Sequence, residues 1–198
     1  MPEALQAYEI LLASRSPRRR ALLEELGFPC RVVETGHVDE IYPEELEGGE
    51  IALYLAQHKS EAYTAPLEQQ QILLTADTVV WNQGRELGKP SGREEALDML
   101  MSLSGGRHQV YTGVYLRTRD HERGFTACTD VFFSELERTE AEYYVDHYKP
   151  YDKAGAYGIQ EWIGYVAVES ISGSYFNVMG LPVHRLYNEL KQLVQSDK

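Results

Sequence analysis

The chain has 198 residues, 43% hydrophobic and 25% charged, which is ordinary for a folded protein and enough for one substantial core or two small lobes. No stretch approaches the roughly 20 apolar residues that a bilayer span requires, and the opening Met1 to Ala7 carries Glu3 rather than a basic cluster, which argues against a secretory signal. The formal charge of -12, from 31 acidic and 19 basic residues, repels the phosphates of DNA and RNA and disfavours a nucleic-acid polymer as partner.

In chain order, residues 8–13 (YEILLA) read as a short buried strand, and Ser16-Pro17 then reads as a helix start, with Ser at the N-cap and Pro at the first helical position. That helix runs through RRRALLEEL and stops at Gly27. Residues 30–34 suggest a second strand, 35–46 a polar acidic loop, and 49–63 a helix with Ile51, Leu55 and His58 on one stripe. Residues 71–76 (QILLTA) read as a strand ending at Asp77, and residues 78–87 as a hairpin turning at Asn82-Gln83-Gly84. Ser91 with Glu94, and Thr139 with Glu142, have capping-box spacing ahead of helices reaching Leu103 and His147. Between them, residues 108–118 and 125–136 flank a polar turn as a second hairpin. A strand is expected near Tyr165–Ile171, and Pro182 opens a last helix. Strands and helices mixed without repeats indicate an α/β fold. Cys30 and Cys128 lack metal-ligand spacing, and without an export signal a disulfide between them is not expected. The reading is a cytosolic protein.

Chemistry concentrates first at residues 14–20. A helix N-terminus presents free N–H groups and partial positive charge, and here Ser14, Arg15, Ser16, Arg18, Arg19 and Arg20 add hydroxyls and guanidinium forks at that end. Basic residues in a first turn oppose the helix dipole unless an anion offsets them, so anion binding is favoured over solvated arginines. Asp77, at the end of an apolar strand, and Asp39-Glu40, in the acidic loop, are carboxylates from separate segments. With phosphate oxygens they can hold magnesium. Lys59, Lys89 and Lys153 are further candidate phosphate partners. The run GRELGKPS is no P-loop: Gly84 and Gly88 enclose three residues rather than four, and Pro90 replaces Ser/Thr. His108, entering a strand, reads as structural.

Taken together, LLASRSPRRRALLEELG (11–27), DE (39–40), LAQHKSEA (55–62), ADTVV (76–80), LGKP (87–90), MLMSLSGGRHQVYTGV (99–114), DKAGAYGIQ (152–160) and GSYFNVMGLP (173–182) resemble the Maf family of nucleoside-triphosphate pyrophosphatases. The resemblance implies one Maf-like domain over 1–198, a mixed twisted sheet with flanking helices in two lobes around a cleft, an inosine-triphosphatase-like fold, and a homodimer. It implies cleavage between the α- and β-phosphates, with Asp77 as catalytic acidic residue. Arg18, Thr78 and Gln160 match positions of substrate choice, and Ser14, Ser16, Arg19, Glu40, Lys59 and Lys89 match positions around the phosphates and metal. The GIQ block with Arg18 and Thr78 looks like the branch acting on dTTP and UTP; an amide side chain can both donate to and accept from a base edge.

Two residues depart from the pattern. Glu161 stands where Gly usually follows the Gln, and Lys149 precedes Pro150 where Glu is usual. The implied mechanism is metal-assisted attack of water on the α-phosphorus, with Mg or Mn on Glu40 and Asp77, and with Arg18, Arg19, Lys59 and Lys89 on the leaving pyrophosphate. The rival readings are a nucleotide-sensing regulator of cell division that binds without turnover, and a pyrophosphatase preferring other modified nucleotides.

Overall fold

The computed structural model describes residues 3–36 and 38–196; Met1 and Pro2 of the opening segment lie outside them. Strands β1 (Glu9–Leu12), β2 (Cys30–Val32) and β3 (Gln71–Asn82) run parallel. Strands β4 (Arg85–Leu87), β5 (Arg107–Arg117), β6 (Glu122–Phe133) and β7 (Val168–Ser172) extend the sheet through antiparallel pairs. The result is one mixed seven-stranded sheet of order β2-β1-β3-β5-β6-β7, with β4 also on β3. Helices α1 (Glu3–Gln6), α2 (Pro17–Glu25), α3 (Gly49–Glu61), α4 (Arg93–Leu103), α5 (Arg138–Tyr148), α6 (Trp162–Val166), α7 (Tyr175–Val178) and α8 (Val183–Ser196) flank it. The α/β class expected from the sequence is the one observed.

A difference in strand length creates the cleft. Pairing of β1 with β3 ends at Leu12 and Leu74, apart from one further bond of 2.9 Å from Ala13 N to Leu74 O. On the same edge, β4 joins β3 only from Val80 onward. Among the described residues, positions 75–79 of β3 therefore have no neighbouring strand on that side, while β5 pairs continuously on the other. Asp77 does not end a strand, as the apolar run suggested; β3 carries it through. The unbroken β5 ladder from Leu73 to Trp81 outweighs the poor strand propensity of Asp.

Alternation along β3 divides its side chains between two layers. Thr75, Asp77 and Val79 face α3: Thr75 Oγ1 donates to Ala56 O at 2.6 Å, and Val79 packs with Ile51 and Leu55. Leu74 and Ala76 face the opposite layer, in a cluster with Leu22, Leu23, Leu186 and Leu190. Val80 belongs to a second large cluster with Leu97, Leu100 and Tyr144. Met179 packs against both clusters. Two packs of side chains thus cover opposite ends of one sheet. Each fully buried Leu contributes about 1.5–3 kcal/mol relative to exposure.

Local details differ from the sequence reading where a side chain found a different partner. Ser91 N and Oγ both donate to Glu95 Oε2, at 2.7 and 2.5 Å, so Glu95 rather than Glu94 braces the start of α4. The capping box of α5 is Glu137 with Glu140, not Thr139 with Glu142, because the Glu137 side chain itself accepts the N3 N–H. Residues 165–171 divide between α6 and β7. The α6 helix turns in because Gly164 lies against Ile159, where a Cβ would stand 1.8 Å from Ile159 O. Among the described residues, no helix is long and apolar enough to cross a membrane.

Candidate functional site

The edge gap of β3 opens into a cleft of ≈ 760 Å³. Its floor begins at the α2 start predicted from Ser16-Pro17. Ser16 is the N-cap and accepts from Arg19 N–H, and Pro17 takes the first helical position. Ser14 Oγ accepts from Ser16 N at 3.2 Å and from Arg19 Nη1 at 3.2 Å. The same guanidinium donates to Thr78 Oγ1 at 3.0 Å and to Gly180 O at 2.8 Å, joining α2 to β3 and to the turn after α7. Burial lowers the Arg19 pKa, nearby Asp77 opposes that, and Arg18 lowers it further.

Thr78 lies 2.9 Å from Thr112 Oγ1, whose one hydrogen goes to Asn177 O at 3.1 Å. Thr78 must then donate to Thr112, which commits its own hydrogen to the protein. Arg20 belongs to a different surface. It points out to Glu24 at 2.7 Å, so the four-arginine cluster of the sequence does not all serve the cleft.

The other face of β3 supplies the acidic groups. Lys59 of α3 donates to Asp77 Oδ1 and to Glu40 Oε1, the latter at 3.1 Å. Lys89, just past β4, reaches Glu40 Oε2 at 3.3 Å. Burial pushes the Glu40 carboxyl up, but Lys59 and Lys89 outweigh it and leave it below its ordinary value. The loop bearing Glu40 is fastened by Tyr42, whose hydroxyl donates to Glu86. That bond, with burial, pushes the Tyr42 phenol up to about 12. Sequence reading missed this clasp, since a Tyr and a Glu 44 residues apart carry no motif. Asp39 does not line the cleft; its neighbour Glu40 does.

The third wall is the 152–160 segment. Arg18 Nη1 meets Asp152 Oδ2 at 3.4 Å. Burial raises the Asp152 carboxyl, and Lys153 with Arg18 more than offset it, so its pKa falls. Gln160 faces the cleft, and its Oε1 is buried with no hydrogen-bond partner among the described residues. Of the two departures, Lys149 is an exposed left-handed C-cap of α5 and does not line the cleft. Glu161 has an ordinary extended backbone with φ -99, so the position does not require the freedom of Gly. His108 is buried against Tyr157, with 2.8 Å between Nε2 and the hydroxyl, in keeping with a structural role.

Ser14, Ser16, Arg18, Arg19, Glu40, Lys59, Asp77, Thr78, Lys89 and Gln160 all line this one cleft. Six basic and five acidic side chains line it, in a chain whose total is 19 against 31, so the cleft is locally suited to an anion. Asp77 and Glu40 come from separate segments and converge on one ammonium, as two carboxylates converge about a cation. Among the described residues no third His, Cys, Asp or Glu joins them. A magnesium or manganese ion held by this pair would need phosphate oxygens and water to complete its shell.

A model of the Maf-like protein family matches residues 9–193. A dTTP/UTP pyrophosphatase of Bacteroides fragilis is 57% identical over 189 residues, covering 96% of this chain and 98% of its own. Proteins of the same description from Bacteroides thetaiotaomicron and Phocaeicola vulgatus are 53% and 52% identical, over 96% and 98% of this chain and 98% and 100% of theirs. Among solved structures, a HAM1 protein from Coxiella burnetii aligns with a TM-score of 0.49 and 13% identity, over 93% of this chain and 99% of that one.

Proposed function

The chain belongs to the Maf family, and from that premise we propose that it hydrolyses dTTP and UTP to the nucleoside monophosphate and pyrophosphate. The observation that carries this reading is the Lys59 bridge, which gathers the Asp77 and Glu40 carboxylates beside the N-terminus of α2 in a cleft otherwise rich in cations. A pure binding protein has little use for two carboxylates facing an anion. The shared description of the relatives supports the substrate pair.

In the proposed reaction, water attacks the α-phosphorus, the bond to the β-phosphate oxygen breaks, and pyrophosphate leaves. Asp77 orients the water and takes its proton, and Lys59 holds the Asp77 carboxylate toward the cleft. The α2 N-terminus with Arg18 and Lys89 stabilises charge on the departing phosphates. Arg19 fixes the geometry of Ser14 and Thr78 beneath them. Gln160 reads the base: uracil and thymine present an N–H between two carbonyls, which suits an amide whose oxygen lacks a donor. A magnesium or manganese ion on Glu40 and Asp77 would supply charge neutralisation and a more acidic bound water.

The same reading takes the protein as cytoplasmic. It also takes the chain as a homodimer, for which exposed Tyr165, Val166, Tyr175 and Phe176 offer apolar surface. The test is Asp77→Asn, assayed for pyrophosphate release from dTTP and UTP with magnesium or manganese beside a panel of other triphosphates. Loss of turnover in a folded variant is expected. Near-wild-type turnover overturns the assignment of Asp77.

A further inference from the structure

The wall that carries Gln160 also holds a buried polar knot, which adjoins the cleft through Asp152, Lys153 and Gly158. Lys153 is 7% exposed, too deep for an ammonium without anions beside it. It has two, Asp152 Oδ1 at 2.8 Å and Glu161 Oε1 at 3.2 Å. The other Glu161 oxygen accepts the hydroxyl of fully buried Tyr144, and the Tyr144 oxygen accepts Gly158 N–H at 3.1 Å. Glu161 N–H closes the circuit on Gly158 O at 2.9 Å.

Gly158 is the point where this knot meets the base-reading side chain. A Cβ there would stand 2.9 Å from Gln160 Nε2 and 3.0 Å from the Glu161 carboxyl carbon. The amide and the carboxylate therefore both pack against the same bare Cα. Moving the carboxylate takes one of two anions from Lys153 and the acceptor from the Tyr144 hydroxyl, whose oxygen holds Gly158 N–H.

We infer that Glu161 is a positioning residue for substrate choice. It ties Lys153 and, through Tyr144, the backbone of Gly158 into one unit that holds the Gln160 amide at a fixed angle to the cleft. The inference rests on the proposed reading of Gln160 as the residue that meets a pyrimidine edge.

The experiment uses Glu161→Gln, which keeps the side-chain shape but removes the charge facing Lys153, and Tyr144→Phe, which removes the hydroxyl that links Glu161 to Gly158 N–H and leaves the Lys153 pair in place. For each variant, kcat and KM are measured with UTP, dTTP and GTP, alongside the melting temperature. The expected result is a fall of about tenfold in the ratio of kcat/KM for UTP over GTP, carried by KM for UTP, with kcat changed by no more than about twofold. A merely structural role lowers the active fraction, which reduces kcat for all nucleotides equally and leaves that ratio intact; this outcome overturns the inference, as does an unchanged ratio. If Glu161→Gln does not fold, Tyr144→Phe decides by the same ratio. If the wild-type protein cleaves neither UTP nor dTTP, the proposed function fails instead. The comparison is then made on the dissociation constants of non-hydrolysable UTP and GTP analogues.

Discussion

Asp77 of β3 stands directly across the ladder from Gly113 of β5, and the bare Cα of Gly113 is what lets α3 lie against the sheet at that level. A Cβ on Gly113 would sit 2.3 Å from the carbonyl carbon and oxygen of Ala52. Lys59 lies about two turns further along α3, so the approach of this helix sets where its ammonium meets Asp77.

Gly113→Ala is therefore expected to lift α3. Overpacking of this kind costs about 1–3 kcal/mol, visible as a lower denaturation midpoint. Turnover should fall as Lys59 moves off Asp77. Wild-type stability in this variant would mean that α3 is not held by this contact.

Lys59 and Lys89 hold Glu40 below the ordinary carboxylate range against the effect of burial. Removing either charge should raise the Glu40 pKa, so the acidic limb of the kcat/KM profile moves to higher pH in Lys59→Met and, less far, in Lys89→Met. A limb that stays in place in both variants would show that another group governs it.

Arg19 serves three acceptors on separate elements, Ser14 Oγ, Thr78 Oγ1 and Gly180 O. Lysine has the charge but not the planar fork, and it cannot span all three. Arg19→Lys should cost about 1–3 kcal/mol in urea unfolding and lower turnover as well. Retention of full stability would place the bridge outside the forces that hold the cleft floor.

His108 is 2% exposed, and burial pushes its imidazole down to about 4 from an ordinary 6.5. Below pH 6.5 the unfolded chain binds a proton that the native site refuses, so stability is full above that pH and is lost as pH falls toward 4. The loss amounts to about 3 kcal/mol across the window. Unfolding measured at steps between pH 4.5 and 6.5 should show this slope, and His108→Gln should flatten it. An equal slope in both proteins would assign the pH dependence elsewhere.

Short-range signals in the chain translated well into structure. Ser16-Pro17 starts α2, the Gln83-Gly84 turn joins β3 to β4, and residue 183 follows Pro182 into α8. Each depends on backbone geometry within a few residues, which composition and spacing encode directly. Signals that depend on a side chain's choice among several neighbours fared less well. Glu95 braces α4 where Glu94 had equal claim by type, and Arg20 turned to Glu24 although it sits in the same run as Arg18 and Arg19.

By itself, the sequence determined the α/β class, the anion-favouring helix start at Ser16, the residue types available for chemistry and the resemblance to the Maf family. Only the tertiary structure decided that Asp77 meets Lys59, that Lys59 also meets Glu40, and that Arg18 meets Asp152 at 134 residues' separation. It also decided that Glu161 belongs to a buried knot rather than a loop needing Gly. The reason is physical: caps and periodicity act over a turn or two, whereas the cleft exists because β1 stops at Leu12 while β3 continues to Asn82. Which charges face one another across that gap is set by the packing of α2, α3 and the 152–160 segment around it, and no local pattern of residues specifies that.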